Sequence, residues 1–318
     1  MRNAFVAAVH ELARRRREVM VLVGDNGAIV FDAYRRDCPE QFINVGIAEA
    51  NLVGVSAGLA ACGKAPFAYT IGTFLTMRAC EQVRNDVCLQ RLNVKLVGIG
   101  AGFVYSDLGP THHATEDLAL LRALPGLTVL SPADPAEARQ ATLAAAAIEG
   151  PVYLRLATGG TGRLYGDDYR FELGRAVTLR QGQDATIVAT GAIVHEALAA
   201  AKLLEEEGVS AGVINVPTLK PFDGEAIAAA ARQTGAVVTV EEHSVNGGLG
   251  SAVAEALSEA GGGARVQRLG LRDSFAQGYG SYAQMKRMNG LDAQSIAQAV
   301  GALRRGVAAG AGGGRAGE

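Results

Sequence analysis

The chain has 318 residues, of which 49% are apolar and 19% are charged, and its formal net charge is -2. This length suits two domains of ordinary size, and the near-neutral charge gives no indication of binding to nucleic acid or to a membrane surface. No stretch approaches the roughly 18 uninterrupted apolar residues of a membrane span. The cysteines show no CxxC spacing, which predicts neither a zinc site nor a disulfide framework and favours a cytoplasmic location; they are Cys38, Cys62, Cys80 and Cys88.

The first 160 residues alternate between helical and strand-like patterns. The apolar spacing predicts helices over 4–16, 47–62, 75–90, 116–124 and 135–148, and strands over 19–24, 42–45, 65–71, 93–100, 127–132 and 152–157. Alternation of this kind predicts an α/β domain in which a parallel sheet is covered by helices on both faces.

A second alternating series follows a segment, 161–174, that is rich in glycine and charge and that we predict to be a linker. The pattern predicts strands over 185–191, 210–216, 236–242 and 265–271, and helices over 193–207, 223–233 and 249–260. We therefore expect a second α/β domain over 175–305. The glycine-rich residues 306–318 are expected to be disordered, because they cannot bury enough apolar surface to fold.

One acidic residue, Glu49, interrupts the apolar or small residues of "FINVGIAEANLVGVSAGLA" (42–60) at the start of a predicted helix. Burying a carboxylate is costly unless it has a partner, although an acid in the first helical turn is also stabilised by the helix dipole. Small residues recur on the same helix at a spacing of four, which indicates close contact with another helix, either of this chain or of another subunit; they are Ala50, Gly54, Gly58 and Cys62.

Several longer segments carry a resemblance to a known family. "FINVGIAEANLVGVSAGLAACGKAPFAYTIGTFLTMRACEQVRND", "GPTHHATEDLALLRALPGLTVLSPAD" and "PVYLRLATGG" resemble the pyrimidine-binding domain of transketolase. "VINVPTLKPFD" and "TVEEHSVNGGLGSAVAEAL" resemble the C-terminal domain of the same family. The resemblance covers roughly residues 3–300 and implies two α/β domains, a parallel-sheet domain that binds the pyrimidine of thiamin diphosphate and a transketolase C-terminal-like domain.

The resemblance implies which residues of the first domain hold thiamin diphosphate. Glu49 matches the glutamate that hydrogen-bonds N1' of the aminopyrimidine, and it is expected to act as a catalytic general acid/base. Phe74 matches the aromatic residue that stacks on this ring, although core packing also explains a phenylalanine. Arg78, four residues further on, and Asp25, at the end of a strand, are expected to contact the cofactor; a turn explains Asp25 equally well.

The resemblance also implies substrate-binding residues. His112, in "GPTHHATED", matches a catalytic histidine that faces the sugar, and His113 and Asp107 are weaker candidates. Arg155 matches the arginine for the acceptor phosphate, which a guanidinium suits through its paired donors. A surface ion pair is the alternative for this arginine.

Two substitutions depart from the family pattern of the donor site. Transketolases carry an aspartate four residues before the substrate histidine, where this chain has Leu108, and another histidine twelve residues before it, where this chain has Gly100. In the family both missing groups contact hydroxyls of the donor sugar. The departures argue against ordinary specificity for xylulose 5-phosphate.

The Gly-Asp-Gly motif, through which thiamin enzymes hold the diphosphate and Mg²⁺, is absent from the sequence. The resemblance therefore implies the C-terminal subunit of a split transketolase, without a metal site of its own. A separate N-terminal subunit would hold the diphosphate and Mg²⁺, in a heterotetramer with two copies of each chain. The alternatives are the beta subunit of a 2-oxo acid dehydrogenase, a relative of deoxyxylulose-phosphate synthase, or an inert scaffold subunit.

Overall fold

The computed structural model describes residues 1–27, 29–158, 162–166, 168–261 and 263–312, with side chains as far as residue 305. These residues form two α/β domains, each built on a largely parallel sheet. The predicted fold class is thus confirmed. No helix in the described part of the chain is both long and apolar enough to cross a membrane.

The sheet of the first domain has seven strands in the order β10-β5-β6-β4-β3-β1-β2. All neighbouring strands run parallel except β10, which is antiparallel to β5. The strands are β1 (Val19–Val23), β2 (Phe42–Asn44), β3 (Ala65–Ile71), β4 (Lys95–Ile99), β5 (Thr128–Leu130), β6 (Val152–Leu156) and β10 (Thr218–Lys220). Because β10 comes from the second half of the sequence, the two domains share this sheet.

Helices cover both faces of the first sheet, as the alternating pattern predicts. Phe5 and Ala141 bury one face under α1 and α7, while Leu52 and Leu75 bury the other under α3 and α4. The helices are α1 (Arg2–Arg15), α2 (Asp32–Asp37), α3 (Glu49–Ala61), α4 (Gly72–Arg78), α5 (Cys80–Gln82), α6 (Asp117–Arg122) and α7 (Pro135–Ala147). The helix predicted over 75–90 is divided into α4, α5 and a π-helical turn, Val83–Cys88.

The sheet of the second domain has five strands in the order β12-β11-β8-β9-β7, and only β7 is antiparallel to its neighbour. The strands are β7 (Val177–Arg180), β8 (Ala185–Ala189), β9 (Ala211–Asn215), β11 (Ala236–Ser244) and β12 (Arg265–Leu271). The helices are α8 (Val194–Glu206), α9 (Gly224–Thr234), α10 (Leu249–Glu259), α11 (Tyr282–Met288) and α12 (Ala293–Gly312). The sequence patterns did not predict α2, α11, α12, β7 or β10.

The predicted linker is anchored to the first domain. The carboxylate of Asp134 accepts hydrogen bonds from the backbone N–H groups of Leu164 (2.7 Å) and Tyr165 (3.0 Å). The hydroxyl of Tyr169 donates to the buried Glu137 at 2.6 Å. The linker thus packs against α7. The predicted domain boundary at 160–161 lies outside the described residues.

The predicted disordered tail, 306–318, differs from the structure at its beginning. Helix α12 continues to Gly312, although the glycines of this segment oppose helix formation. Residues 313–318 lie outside the described part of the chain.

Candidate active site

The candidate site lies at the carboxyl ends of the strands in the first sheet, where open α/β sheets place ligands. Strand β3 leads directly into α4, which carries Phe74 and Arg78. Strand β2 leads through a turn into α3, whose first residue is Glu49. Strand β4 leads into the loop that contains His112. The connections of three strands therefore bring the predicted residues to one edge.

Glu49 is a buried acid with a single cationic neighbour among the described residues. Its side chain is 3% exposed, and Oε2 accepts a hydrogen bond from Nη1 of Arg78 at 3.0 Å. The Arg78 side chain is itself 50% exposed. The carboxylate also lies at the N-terminus of α3, where the helix dipole favours a negative charge. The carboxylate thus has the helix dipole and Arg78 beside it, while its pairing with the cofactor stays a prediction.

Phe74 and Arg78 lie on the same face of α4 because they are four residues apart. The guanidinium carbon of Arg78 is 3.8 Å from the centroid of the Phe74 ring, which is stacking distance for a cation over an aromatic face. The ring of His112 meets Phe74 edge-on with 5.0 Å between centroids. The structure therefore brings together four of the predicted residues, Glu49, Phe74, Arg78 and His112.

Asp25 lies in the turn that follows β1. It has a left-handed backbone (φ 59°), and its exposed carboxylate accepts a hydrogen bond from Nδ2 of Asn44 at 3.0 Å. The Asn44 amide oxygen accepts from the N–H of Gly46, in the turn that leads into α3. Asp25 thus stabilises the turn before Glu49, and its predicted contact with the cofactor stays a prediction.

Tyr105 is a residue of the site that the sequence patterns did not identify. Gly100 has a φ of 79°, and a Cβ atom built there would overlap the Tyr105 ring. The Tyr105 ring lies 6.3 Å from that of His112. Tyrosine therefore fills the space beside Gly100, where the family carries a histidine. The sequence does contain a signal for Tyr105, because this aromatic residue follows five positions after Gly100, a glycine that departs from the family pattern.

The other residues singled out in this loop differ in their exposure. Asp107 and Leu108 are exposed. His113 is only 2% exposed and packs against Phe103 with 5.9 Å between ring centroids. Burial lowers the pKa of His113 from its ordinary value, which favours the neutral ring. His113 is thus a core residue in this arrangement, while a role for Asp107 stays a prediction.

Arg155 differs from both interpretations made from the sequence, because it is neither at the surface nor open to a ligand. It is 2% exposed, and Nε donates to Oδ2 of Asp117 at 2.8 Å. The hydroxyl of Tyr153 donates to the same oxygen at 2.7 Å. Nη2 of Arg155 donates to the carbonyls of Ala114 (2.8 Å) and Glu242 (3.1 Å). Arg155 thus joins the two domains, and its predicted contact with an acceptor phosphate stays a prediction.

Two neighbouring acids of β11, Glu241 and Glu242, are buried next to this domain junction. The Glu242 carboxylate accepts a hydrogen bond from the Tyr282 hydroxyl at 2.9 Å, and burial raises its pKa to about 7. Glu241 accepts from the N–H groups of Leu249 (2.6 Å) and Gly250 (2.8 Å) at the start of α10, and burial raises its pKa to about 7 as well. The N–H groups at the start of α10, after the glycine-rich turn, are therefore hydrogen-bonded to Glu241 of the same chain.

The described residues contain no group of three or more His, Cys, Asp or Glu side chains that is placed to hold a metal ion. The contacts of Arg78 indicate whether a flat group such as the pyrimidine of thiamin diphosphate fits between Glu49 and Phe74. A flat group with N–H donors already binds Glu49 and stacks on Phe74. The two side chains thus hold a planar group that has N–H donors, and the aminopyrimidine expected from the resemblance is a group of the same kind.

Comparison with known proteins agrees with this resemblance. Residues 1–161 match the family model "Transketolase, pyrimidine binding domain", and residues 174–296 match "Transketolase, C-terminal domain". A 6-deoxy-6-sulfo-D-fructose transketolase subunit of Clostridium sp. (strain MSTE9) is 42% identical over 94% of this chain and 93% of its own. An apulose-4-phosphate transketolase subunit of Phocaeicola vulgatus is 40% identical over 81% of this chain and 83% of its own.

A solved structure described as a split gene transketolase, an inactive beta4 tetramer, is 44% identical to this chain. It superposes with a TM-score of 0.89 and covers 96% of this chain and 98% of its own. The 1-deoxy-D-xylulose-5-phosphate synthase 1 of Geobacter sulfurreducens is 43% identical, but this chain covers only 42% of its length. The chain belongs to the transketolase family, as a C-terminal subunit of the split, thiamin-diphosphate-dependent type.

Proposed function

We propose that Glu49 is the acid/base group of a ketol transfer that this subunit performs together with a diphosphate-binding partner. The carboxylate of Glu49 is buried and, among the described residues, is bound by a single half-exposed guanidinium, and this observation supports the role most strongly. When bound, thiamin diphosphate supplies the nucleophilic carbon for a ketose carbonyl and the electron sink for carbon–carbon cleavage. Glu49 would hold and return one proton at its carboxylate, shielded from water.

Phe74 and His112 would complete the site. Phe74 offers one ring face for stacking, and Arg78 already uses that face. The His112 ring lies beside it, with Nδ1 3.0 Å from the Thr111 hydroxyl, which helps to fix the orientation of the ring. An imidazole in this position is suited to hydrogen-bond a sugar hydroxyl or a developing alkoxide.

The donor end of the site supports an unusual ketose. Tyr105 fills the space beside Gly100, and Leu108 presents an apolar side chain that is 48% exposed. Two similar transketolase subunits are named after a sulfonated ketose, 6-deoxy-6-sulfo-D-fructose, and after apulose 4-phosphate. We therefore propose a donor ketose with a modified carbon chain, distinct from xylulose 5-phosphate, and an aldose or aldose phosphate acceptor.

The partner is proposed to be an N-terminal subunit that holds the diphosphate and Mg²⁺ in a heterotetramer with two copies of each chain. A large surface of α3 is open for it. A Cβ atom built at Gly54 or at Gly58 would meet no atom within 4 Å, so the small-residue stripe faces away from its own domain. The cytoplasmic location expected from the cysteines stays a prediction.

Reconstitution tests this function. We expect this chain with its partner, thiamin diphosphate and Mg²⁺ to transfer a ketol unit from a modified ketose to an aldose, and each chain alone to be inactive. Full transfer by this chain alone would refute the split arrangement. Reduction of a dye driven by pyruvate would instead indicate a 2-oxo acid dehydrogenase. Condensation of pyruvate with glyceraldehyde 3-phosphate would indicate a deoxyxylulose-phosphate synthase.

A further inference from the structure

We propose that Arg78 occupies the pyrimidine subsite in the free subunit and turns out of it when thiamin diphosphate binds. This inference rests on the proposed function, because it takes Glu49 and Phe74 as the residues that hold the aminopyrimidine. It adds a residue that competes with the cofactor and thereby sets its affinity.

The contacts of Arg78 support the proposal in two independent ways. Its Nη1 donates to Oε2 of Glu49 at 3.0 Å, which uses the carboxylate proposed to bind the ring nitrogen. Its guanidinium carbon is 3.8 Å from the centroid of the Phe74 ring, which uses the face proposed for stacking. A guanidinium is planar and can stack and hydrogen-bond at once. Arg78 therefore makes both contacts that a flat aminopyrimidine would make at this place.

Burial explains why the site holds a cation of its own. The Glu49 side chain is 3% exposed, and a buried carboxylate without a partner is strongly destabilising. Arg78 supplies the partner as long as the cofactor does not.

Exposure explains why Arg78 is able to leave. Its side chain is 50% exposed, whereas the Arg155 side chain, which is built into the domain junction, is 2% exposed. A half-exposed arginine regains hydration when it turns outward, and the aminopyrimidine takes its place beside Glu49, so the exchange does not leave the buried carboxylate without a partner. The same pair in a closed core would be too costly to exchange.

Calorimetric titration of the reconstituted complex with thiamin diphosphate, in the presence of Mg²⁺, tests the proposal. Arg78→Met keeps the apolar stem and a good helix former but removes the competing guanidinium. We expect its dissociation constant for thiamin diphosphate to fall about three- to tenfold. Arg232→Met, at an exposed position of α9 in the second domain, is the matched control and should leave the constant unchanged.

A weaker or an unchanged affinity in Arg78→Met would overturn the proposal, because a guanidinium that stays and holds the cofactor makes removal harmful. Arg78→Lys provides a second variant if the first does not fold. It keeps the charge but loses the planar fork, and we expect it to tighten binding by a smaller factor.

A double-variant cycle separates this inference from the proposed function. In a Glu49→Gln background Arg78 has no carboxylate to hold, so the gain from Arg78→Met should largely disappear. If Glu49→Gln weakens cofactor binding while Arg78→Met does not tighten it, only this inference fails. If Glu49→Gln leaves both binding and activity unchanged, the proposed function fails.

Discussion

Two acid–arginine pairs of this chain are alike in chemistry and opposite in surroundings. In the first pair, Arg78 is half exposed and makes one hydrogen bond to Glu49. In the second, Arg155 and Asp117 are both buried, and the acid also accepts a hydrogen bond from Tyr153. A pair with few partners can open for a ligand, whereas a pair with many partners holds the fold together. The surroundings of a pair, more than its residue types, therefore indicate its role.

The predicted changes in the stability of the free chain are largest at the buried pair and smallest on the open surface of α3. The largest is expected for Arg155→Met. This variant leaves Asp117 buried without its cation, and we expect the free energy of unfolding to fall by about 3–5 kcal/mol in urea titrations. Arg139→Met, which removes an exposed ion pair with Glu11, is the control and should cost at most about 1 kcal/mol.

The opposite outcome for Arg155 would restore the interpretation made from the sequence. If Arg155→Met kept its stability and raised only the KM for a phosphorylated acceptor, the arginine would be a phosphate ligand and the comparison of the two pairs would be broken.

A smaller effect, and one that depends on pH, is expected at Glu242. Burial raises the pKa of Glu242 from 4.5 to about 7, so between these values the folded chain binds more protons than the unfolded chain. The stability of the native sequence therefore falls as the pH rises through this window. Glu242→Gln removes the titrating group. We expect the free energy of unfolding of this variant, relative to that of the native sequence, to increase between about pH 5 and about pH 8 by on the order of 2–3 kcal/mol.

Urea titrations at several pH values measure this difference. Glu259→Gln, at an exposed position of α10, is the control and should leave the pH dependence as it is. A constant difference between Glu242→Gln and the native sequence across this range would show that Glu242 does not titrate in the domain junction.

The smallest effect on the free chain is expected on the open surface of α3. Gly58 is exposed, and a Cβ atom built there would meet no described atom within 4 Å. Because leucine favours helix more than glycine does, we expect Gly58→Leu to raise the free energy of unfolding of the free chain by at most about 1 kcal/mol. Assembly with the partner should nevertheless be lost, as size-exclusion chromatography would show. Ala229→Leu, on the exposed face of α9, should assemble normally. A normal complex with Gly58→Leu would place the interface elsewhere.

The sequence was sufficient for the parts of the fold that local patterns determine. The parallel strands from β1 to β6 follow from buried apolar runs between helical patterns, and Phe74 and Arg78 share a face because of their spacing. Strand β10 was missed because it has only three residues and pairs with a strand of the other domain. Its pairing depends on contacts distant in sequence, which no local pattern records.

The residues of the candidate site also differ in whether local sequence or distant contacts determine their place. Glu49 was identified because a single acid in an apolar run needs an explanation wherever it lies. The burial of Arg155 was not predicted, because its partner Asp117 lies 38 residues away in sequence and a further acceptor is a carbonyl of β11 in the second domain. Tyr105 was missed because its position over Gly100 depends on a left-handed backbone that the sequence alone does not show.

The turnover of the complex that contains Glu49→Gln tests the central claim most directly. The substitution keeps the shape of the side chain and removes its ability to exchange a proton, so we predict that kcat for ketol transfer falls by about a hundredfold or more. Glu259→Gln, prepared in the same way, should retain full activity. A kcat for Glu49→Gln within about threefold of the native complex would contradict the proposed acid/base role.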